Sequence, residues 1–339
     1  MAEIVLGLGT SHTPQLSSPP ETWWDHARRD EISDELIGTD RELHSYQDLV
    51  RTAPGFVRSK LTLEHWEEEY ARAQFAIEQL STALTVAKPD VIVVIGNDQG
   101  EIFREECLPA FAIVCGAELV DLPVDPDELE RMGVSIKSAN WATHSESRET
   151  YPGSPEIANH LIRALVDADF DVCQVNRQAG DRALSHAYTF VQRRLMASGS
   201  IPMLAIMVSS YSDKSVNQPS PARCLSFGRS LRGAIESWDG PERIAIAVSG
   251  GLSHFVIDEE LDRMVCRAIE SGQPDELATL PRETFQSGTA EILNWIAGAG
   301  ALEVLSPKII DYVPAYRTAA GTGVGMCFAL WQPSDGATS

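Results

Sequence analysis

Runs rich in valine and isoleucine recur along the chain: "EIVLGLG" from Glu3, "DVIVVIG" at 90–96, "FAIVCG" at 111–116, "DVCQVN" at 171–176, "PMLAIMVSS" at 202–210 and "RIAIAVSGG" at 243–251. Stretches of helical period separate most of them, as at 64–87, 155–167 and 222–236. Strands that are apolar on both faces need cover on both faces, which helices provide in a parallel sheet. The expected fold is therefore α/β, with a central, mostly buried β-sheet flanked by helices. The stretch at about 20–85 is acidic and helical, and is expected to form an N-terminal helical insertion over the sheet's edge. No repeat, low-complexity tract or linker divides the sequence, so 1–339 reads as a single domain.

With 43% hydrophobic residues among 339, the chain can bury a large core. Its 49 acidic residues outweigh 27 basic ones, and the formal charge of -22 repels nucleic acid and anionic membrane surfaces. Neither is expected as a partner. No run approaches the roughly 18 apolar residues of a membrane span, and the start lacks the basic region of a signal peptide, so a cytoplasmic location is expected. The six cysteines are scattered without a C-x-x-C pair, which suits reduced structural thiols better than a zinc ribbon or a disulfide framework.

In sheets of this kind ligands bind where the loops after the strands converge. Three strand ends carry polar, reactive side chains: "GLGTSHTP" with His12, "VVIGNDQGEIF" with Gln99, and "AVSGGLSHF" with His254. Neither the phosphate-loop spacing nor a G-x-S-x-G elbow is present. "LSHAYTFVQRRL" puts His186 near the start of an amphipathic helix, and "SGTAEILNWIAGAGAL" puts Glu291 at the head of an apolar one. Each residue also has a plainer reading. His12 suits local hydrogen bonding, His254 the core or a cap, His186 a cap or the surface, and Glu291 the favourable end of a helix dipole. Read as metal ligands, His12 and Glu291 make most of a two-histidine, one-carboxylate face, the arrangement that leaves open positions on Fe(II).

These blocks, with "NQPSPARCLSFGRSLRGAI" and "DYVPAYRTAAGTGVGM", resemble the class III extradiol ring-cleavage dioxygenases, the family of the protocatechuate 4,5-dioxygenase and gallate and 3-O-methylgallate dioxygenase catalytic subunits. The resemblance covers most of 1–16 and 89–331, while 20–85 matches poorly. It implies Fe(II) as cofactor, a catechol-type aromatic and O2 as substrates, and cleavage of the ring beside the diol. It also implies a homo-oligomer, a dimer, with a small helical partner subunit as a further option. Carried over, His12 and Glu291 are metal ligands, His254 is the acid and base, and His186 contacts the substrate.

One departure stands out. Where better-known members end the second strand in Asn-Asp-His, this chain has Asn97, Asp98 and Gln99. Gln99 is expected as the third metal donor by position, with Asp98 and Glu101 as charged alternatives in the same loop and His44 as a more distant one. Arg223, Lys214 and Arg317 are the cations nearest the motifs, and Arg223 and Arg317 are expected to hold a substrate carboxylate. Two other functions stay open: a non-catalytic binding protein on the same fold, which the altered loop favours, and a metal-dependent hydrolase.

Overall fold

The computed structural model describes residues 1–196, 199–210 and 216–334. Among these, one mixed sheet is built from β1 (Glu3–Thr10), β2 (Val91–Gly96), β3 (Phe111–Val114), β4 (Cys173–Val175), β5 (Met203–Val208), β6 (Arg243–Ser249), β7 (His254–Val256), β8 (Ser306–Tyr316) and β9 (Thr322–Gln332). Strands follow the order β7-β9-β1-β6-β2-β5-β3-β4, and β8 pairs along the other side of β9. The centre, β1-β6-β2-β5, is parallel. All six valine- and isoleucine-rich runs lie in this sheet.

The last two strands were legible only as a motif. Pro307 and Pro314 interrupt β8, and Gly323 and Gly325 interrupt β9, residues that weaken a strand reading because they neither pack nor pair like their neighbours. Between them they close the sheet with an antiparallel hairpin against β1.

Alternation along each strand sorts the core into two layers. Val91, Val93 and Ile95 of β2 face one layer, and Ile92 and Val94 face the other. The first layer is covered by α2 (Pro155–Asp167), α4 (Pro221–Glu236), α5 (Glu259–Glu270) and α6 (Ile292–Ala301), through residues such as Leu161, Phe227, Val265 and Ile296. The second lies under α1 (Leu63–Ala87) and α3 (His186–Arg194), through Ile77, Leu80, Leu84 and Phe190. Both faces are buried, as the strand composition demands.

This packing corrects the expected insertion at 20–85. Residues from Leu63 onward form α1, whose buried Ala73, Ala76, Ile77, Leu80 and Leu84 cover the sheet itself. The part before it holds the helices Trp23–Glu31 and Tyr46–Thr52 and a two-stranded ribbon, Leu36–Ile37 with Leu43–His44, and is anchored by Trp23, which is buried in the same core layer as α1. That part lies over the carboxyl ends of the strands rather than over the sheet's edge, since His26, Asp30 and Leu36 line the cleft found there. Among the described residues no helix is long and apolar enough to cross a membrane.

Candidate metal and substrate site

β1, β6 and β2 run parallel and adjacent, so the residues that follow them emerge side by side: Ser11 and His12, Gly250 and Gly251, and Asn97 to Gln99. Glu291 arrives from elsewhere, as the residue immediately before α6. That helix is buried on every side and is docked by two contacts to the strands. Trp295 Nε1 donates to Gly250 O at 2.9 Å, and Asn294 Nδ2 donates to Ser249 O at 3.2 Å. The indole lies so close to β1 that a Cβ at Gly9 would come within 2.4 Å of it, which accounts for glycine in "GLGTSH". Docked this way, α6 brings Glu291 Oε1 to 3.4 Å from His12 Nε2, with both side chains buried.

The tautomer of His12 follows from its surroundings. Ser249 Oγ donates its one proton to Ala187 O at 2.6 Å, so at 3.0 Å from His12 Nδ1 it accepts. Nδ1 carries the proton, and in the neutral ring Nε2 presents a lone pair towards Glu291. A lone pair facing a carboxylate oxygen calls for a cation or a proton between them. Glu291 also accepts from Gly251 N–H at 2.7 Å, Asn97 Nδ2 at 3.0 Å and Gln99 Nε2 at 3.5 Å. Burial alone would raise the pKa of Glu291. Positive charge placed on His12 or His254, together with the Gly251 N–H, outweighs it and holds this carboxylate well below the usual range.

The other two histidines surround this pair. His186 opens α3 and stands edge-to-face with His12, ring centroids 4.8 Å apart. Its Nδ1 is paired with the Glu101 carboxylate, which also accepts from Gln99 N–H at 2.7 Å. Burial would lower the pKa of His186, but Glu101 reverses that and raises it. His254 opens β7, and its Nδ1 donates to Leu252 O at 3.4 Å. Burial lowers its pKa. The turn that presents it hangs on the fully buried Asp262, which accepts from Ser253 N–H at 2.8 Å, Ser253 Oγ at 2.6 Å and Tyr312 Oη at 2.7 Å. The next residue, Phe255, has φ of 64°, a left-handed conformation that a bulky side chain rarely adopts and that tertiary contacts must hold.

His12, Gln99, Glu101, His186, His254 and Glu291 all line one cleft of about 1130 Å³. The structure thus brings together every residue named from the three strand ends and two helices. The alternatives to Gln99 are otherwise engaged. Asp98 spends its oxygens on the N–H groups of Gly100, Ile102 and Phe103, folding the loop, while burial and the charge of Glu101 push its pKa up to about 6. Glu101 holds His186. His44 pairs with Asp40 at 2.9 Å and does not line the cleft. Among the described residues no three His, Cys, Asp or Glu side chains form a metal-binding group. Gln99 turns its Nε2 towards Glu291 Oε1 at 3.5 Å, and rotating that amide by half a turn would put its oxygen, a hard donor, there instead. One imidazole, one carboxylate and this weaker amide could then hold a divalent metal.

Two expectations about cations need correction. Arg223 donates to Asp169 O at 3.0 Å and lies over the Phe170 ring, away from the cleft. Arg317 does line the cleft, but its guanidinium is held by both oxygens of Asp30 at 2.6 and 3.0 Å, so its charge is already matched. Lys214 lies outside the described residues. Sequence reasoning missed Ser249, Asn97 and Asp262. The first two carried a faint signal, as polar residues directly ending or following apolar strands.

Fold and site together define an α/β protein with a histidine–carboxylate centre at the carboxyl ends of parallel strands. Within that class the chain belongs to the family of the catalytic LigB subunit of aromatic ring-opening dioxygenase, whose sequence profile matches residues 63–326. The match opens at the first residue of α1, in keeping with the place of that helix in the core. Among solved structures the chain is similar to the uncharacterized protein JW3007 from Escherichia coli K12, at 15% identity and a TM-score of 0.46, over 96% of this chain and 99% of that one.

Proposed function

We propose that this protein is a non-haem Fe(II)-dependent extradiol dioxygenase that opens the ring of a catechol-type aromatic with O2. The observation that carries this reading is the 3.4 Å approach of His12 Nε2 to Glu291 Oε1, in a cleft shared with His186 and His254, in a chain of the ring-opening dioxygenase family. Donor atoms bound to one metal at about 2.0–2.2 Å lie roughly 3–4 Å apart, and this pair meets that condition. His12, Glu291 and Gln99 would hold the iron, which when bound supplies exchangeable positions for a diol and dioxygen.

The chain's own groups supply the rest. Ser249 fixes His12 in the tautomer that offers Nε2. His254, with its proton on Nδ1 towards Leu252 O, offers Nε2 as the base for a diol hydroxyl, and lowering of its pKa keeps that nitrogen unprotonated at neutral pH. His186, pinned by Glu101, holds a hydrogen-bonding group beside the His12 edge where a substrate oxygen would lie. The experiment is oxygen uptake by anaerobically Fe(II)-loaded protein on protocatechuate, gallate, 3-O-methylgallate, catechol and aminophenols. One dioxygen consumed per ring, with a yellow product, supports the reading; no uptake on any of them overturns it.

A second reading has a specific observation behind it. Gln99 stands where related enzymes carry a stronger donor, which favours a protein that binds aromatics on this fold without turnover. Iron content after anaerobic purification separates the two, since such a binder would hold none.

A further inference from the structure

The cleft is larger than the site described so far. Its volume of about 1130 Å³ exceeds the range of about 300–1,000 Å³ in which proteins enclose drug-sized ligands. A single aromatic ring at His12 and Glu291 fills a small part of it. The remainder is lined in part by Leu122, Val124, Met132 and Ile136, with Asp125, Glu128, Asn140 and Thr143 from the same stretch of chain, a mixed wall along which a ring substituent can extend.

One polar group on this wall is fixed by a buried partner. His144 lines the cleft, and its Nδ1 lies 3.0 Å from Oδ1 of Asp121, a carboxylate with no exposed surface. The other oxygen of Asp121 accepts from Ser145 N–H at 2.8 Å and faces Tyr151 Oη at 3.5 Å. A carboxylate can only accept, so the Nδ1 proton of His144 points to Asp121 and Nε2 of the neutral ring is an acceptor. A histidine oriented by a buried carboxylate on the wall of a binding cleft is an arrangement that can recognise a hydroxyl. None of the steps assigned to His12, Glu291, His186 or His254 uses it.

We propose that the His144–Asp121 pair is a specificity site, and that the substrate is a diol-bearing ring with an extended substituent ending in a hydroxyl that donates to His144 Nε2. The inference rests on the diol-cleaving reading for the identity of the ring, and its test measures binding rather than turnover, so the two fail separately. The probes are 4-alkylcatechols with chains of about three to eight carbons, ending in either hydroxyl or methyl. Their dissociation constants are measured anaerobically by calorimetry. For at least one chain length the hydroxyl-terminated probe binds about tenfold tighter than its methyl partner, the size expected for a hydrogen bond to an otherwise unpaired acceptor. His144→Leu abolishes that ratio, and His144→Gln, which keeps an acceptor, recovers part of it. A wild-type ratio near one at every length, or a ratio unchanged in His144→Leu, overturns the proposal. The wild-type and His144→Gln measurements keep the test decisive if the leucine variant folds poorly.

Discussion

His12 Nδ1 sits 3.0 Å from Ser249 Oγ, and because that hydroxyl donates to Ala187 O, the histidine has to donate to it. The serine thereby decides which nitrogen of His12 faces Glu291. Replacing Ser249 with Ala leaves the buried Nδ1–H unpaired and frees the ring to adopt the other tautomer, whose Nε2 carries a proton. Orienting partners of this kind are worth about 10–100-fold in metal affinity. Ser249→Ala is expected to lose Fe(II) affinity in that range while its circular dichroism stays that of the wild type, as measured by competition with a chelator.

Gln99 offers a second test of the same centre. Its amide oxygen is a weaker donor to Fe(II) than imidazole, and its present contact is Nε2 to Glu291 Oε1 at 3.5 Å. Gln99→His is expected to tighten Fe(II) binding by about tenfold, and Gln99→Ala to weaken it similarly. Equal affinity in all three proteins would remove Gln99 from the coordination sphere.

The sequence made the parallel centre of the fold legible because β1, β2, β5 and β6 are buried on both faces and have to be apolar throughout. It hid β8 and β9, whose prolines and glycines serve pairing and close packing. At the site, His12, His254 and Glu291 were visible because each interrupts or ends a patterned segment. Their supports were not. Ser249, Asn97 and Asp262 act through contacts spanning 237, 194 and 9 residues respectively, and the longer two are fixed only by the sheet order and by the docking of α6 against it. The failure at Arg223 has the same origin. Nothing local distinguishes an arginine aimed at a substrate from one laid over Phe170.

Arg317 separates a structural cation from a binding one. Its bidentate pairing with Asp30, which also accepts from Thr322 Oγ1, ties the Trp23–Glu31 helix to the start of β9. Both side chains are about nine-tenths buried, and removing one partner from such a pair costs about 3–5 kcal/mol because the other charge is left uncompensated. Arg317→Ala is expected to lower stability by that order in urea unfolding, whereas Arg223→Ala should change it by less than about 1 kcal/mol. A stable Arg317→Ala with weakened substrate binding alone would return Arg317 to the role of a substrate cation.

His254 serves as a base only when neutral, and burial, which outweighs the opposing charge of Glu291, sets its pKa below the ordinary value of about 6.5. Turnover that depends on the neutral ring is fully present above that lowered pKa and is lost as pH falls through it. The acid limb of kcat should therefore be centred below about pH 6.5, so that more than half of the plateau activity remains at pH 6.5, where an unperturbed histidine would be half protonated. His186 cannot produce the same limb, because Glu101 moves its pKa in the opposite direction. His254→Gln should retain iron, lower kcat by about 10²–10⁴-fold and erase the limb from whatever activity is left. A limb centred above pH 6.5 in the wild type, or one that survives in His254→Gln, would show that another group carries the proton.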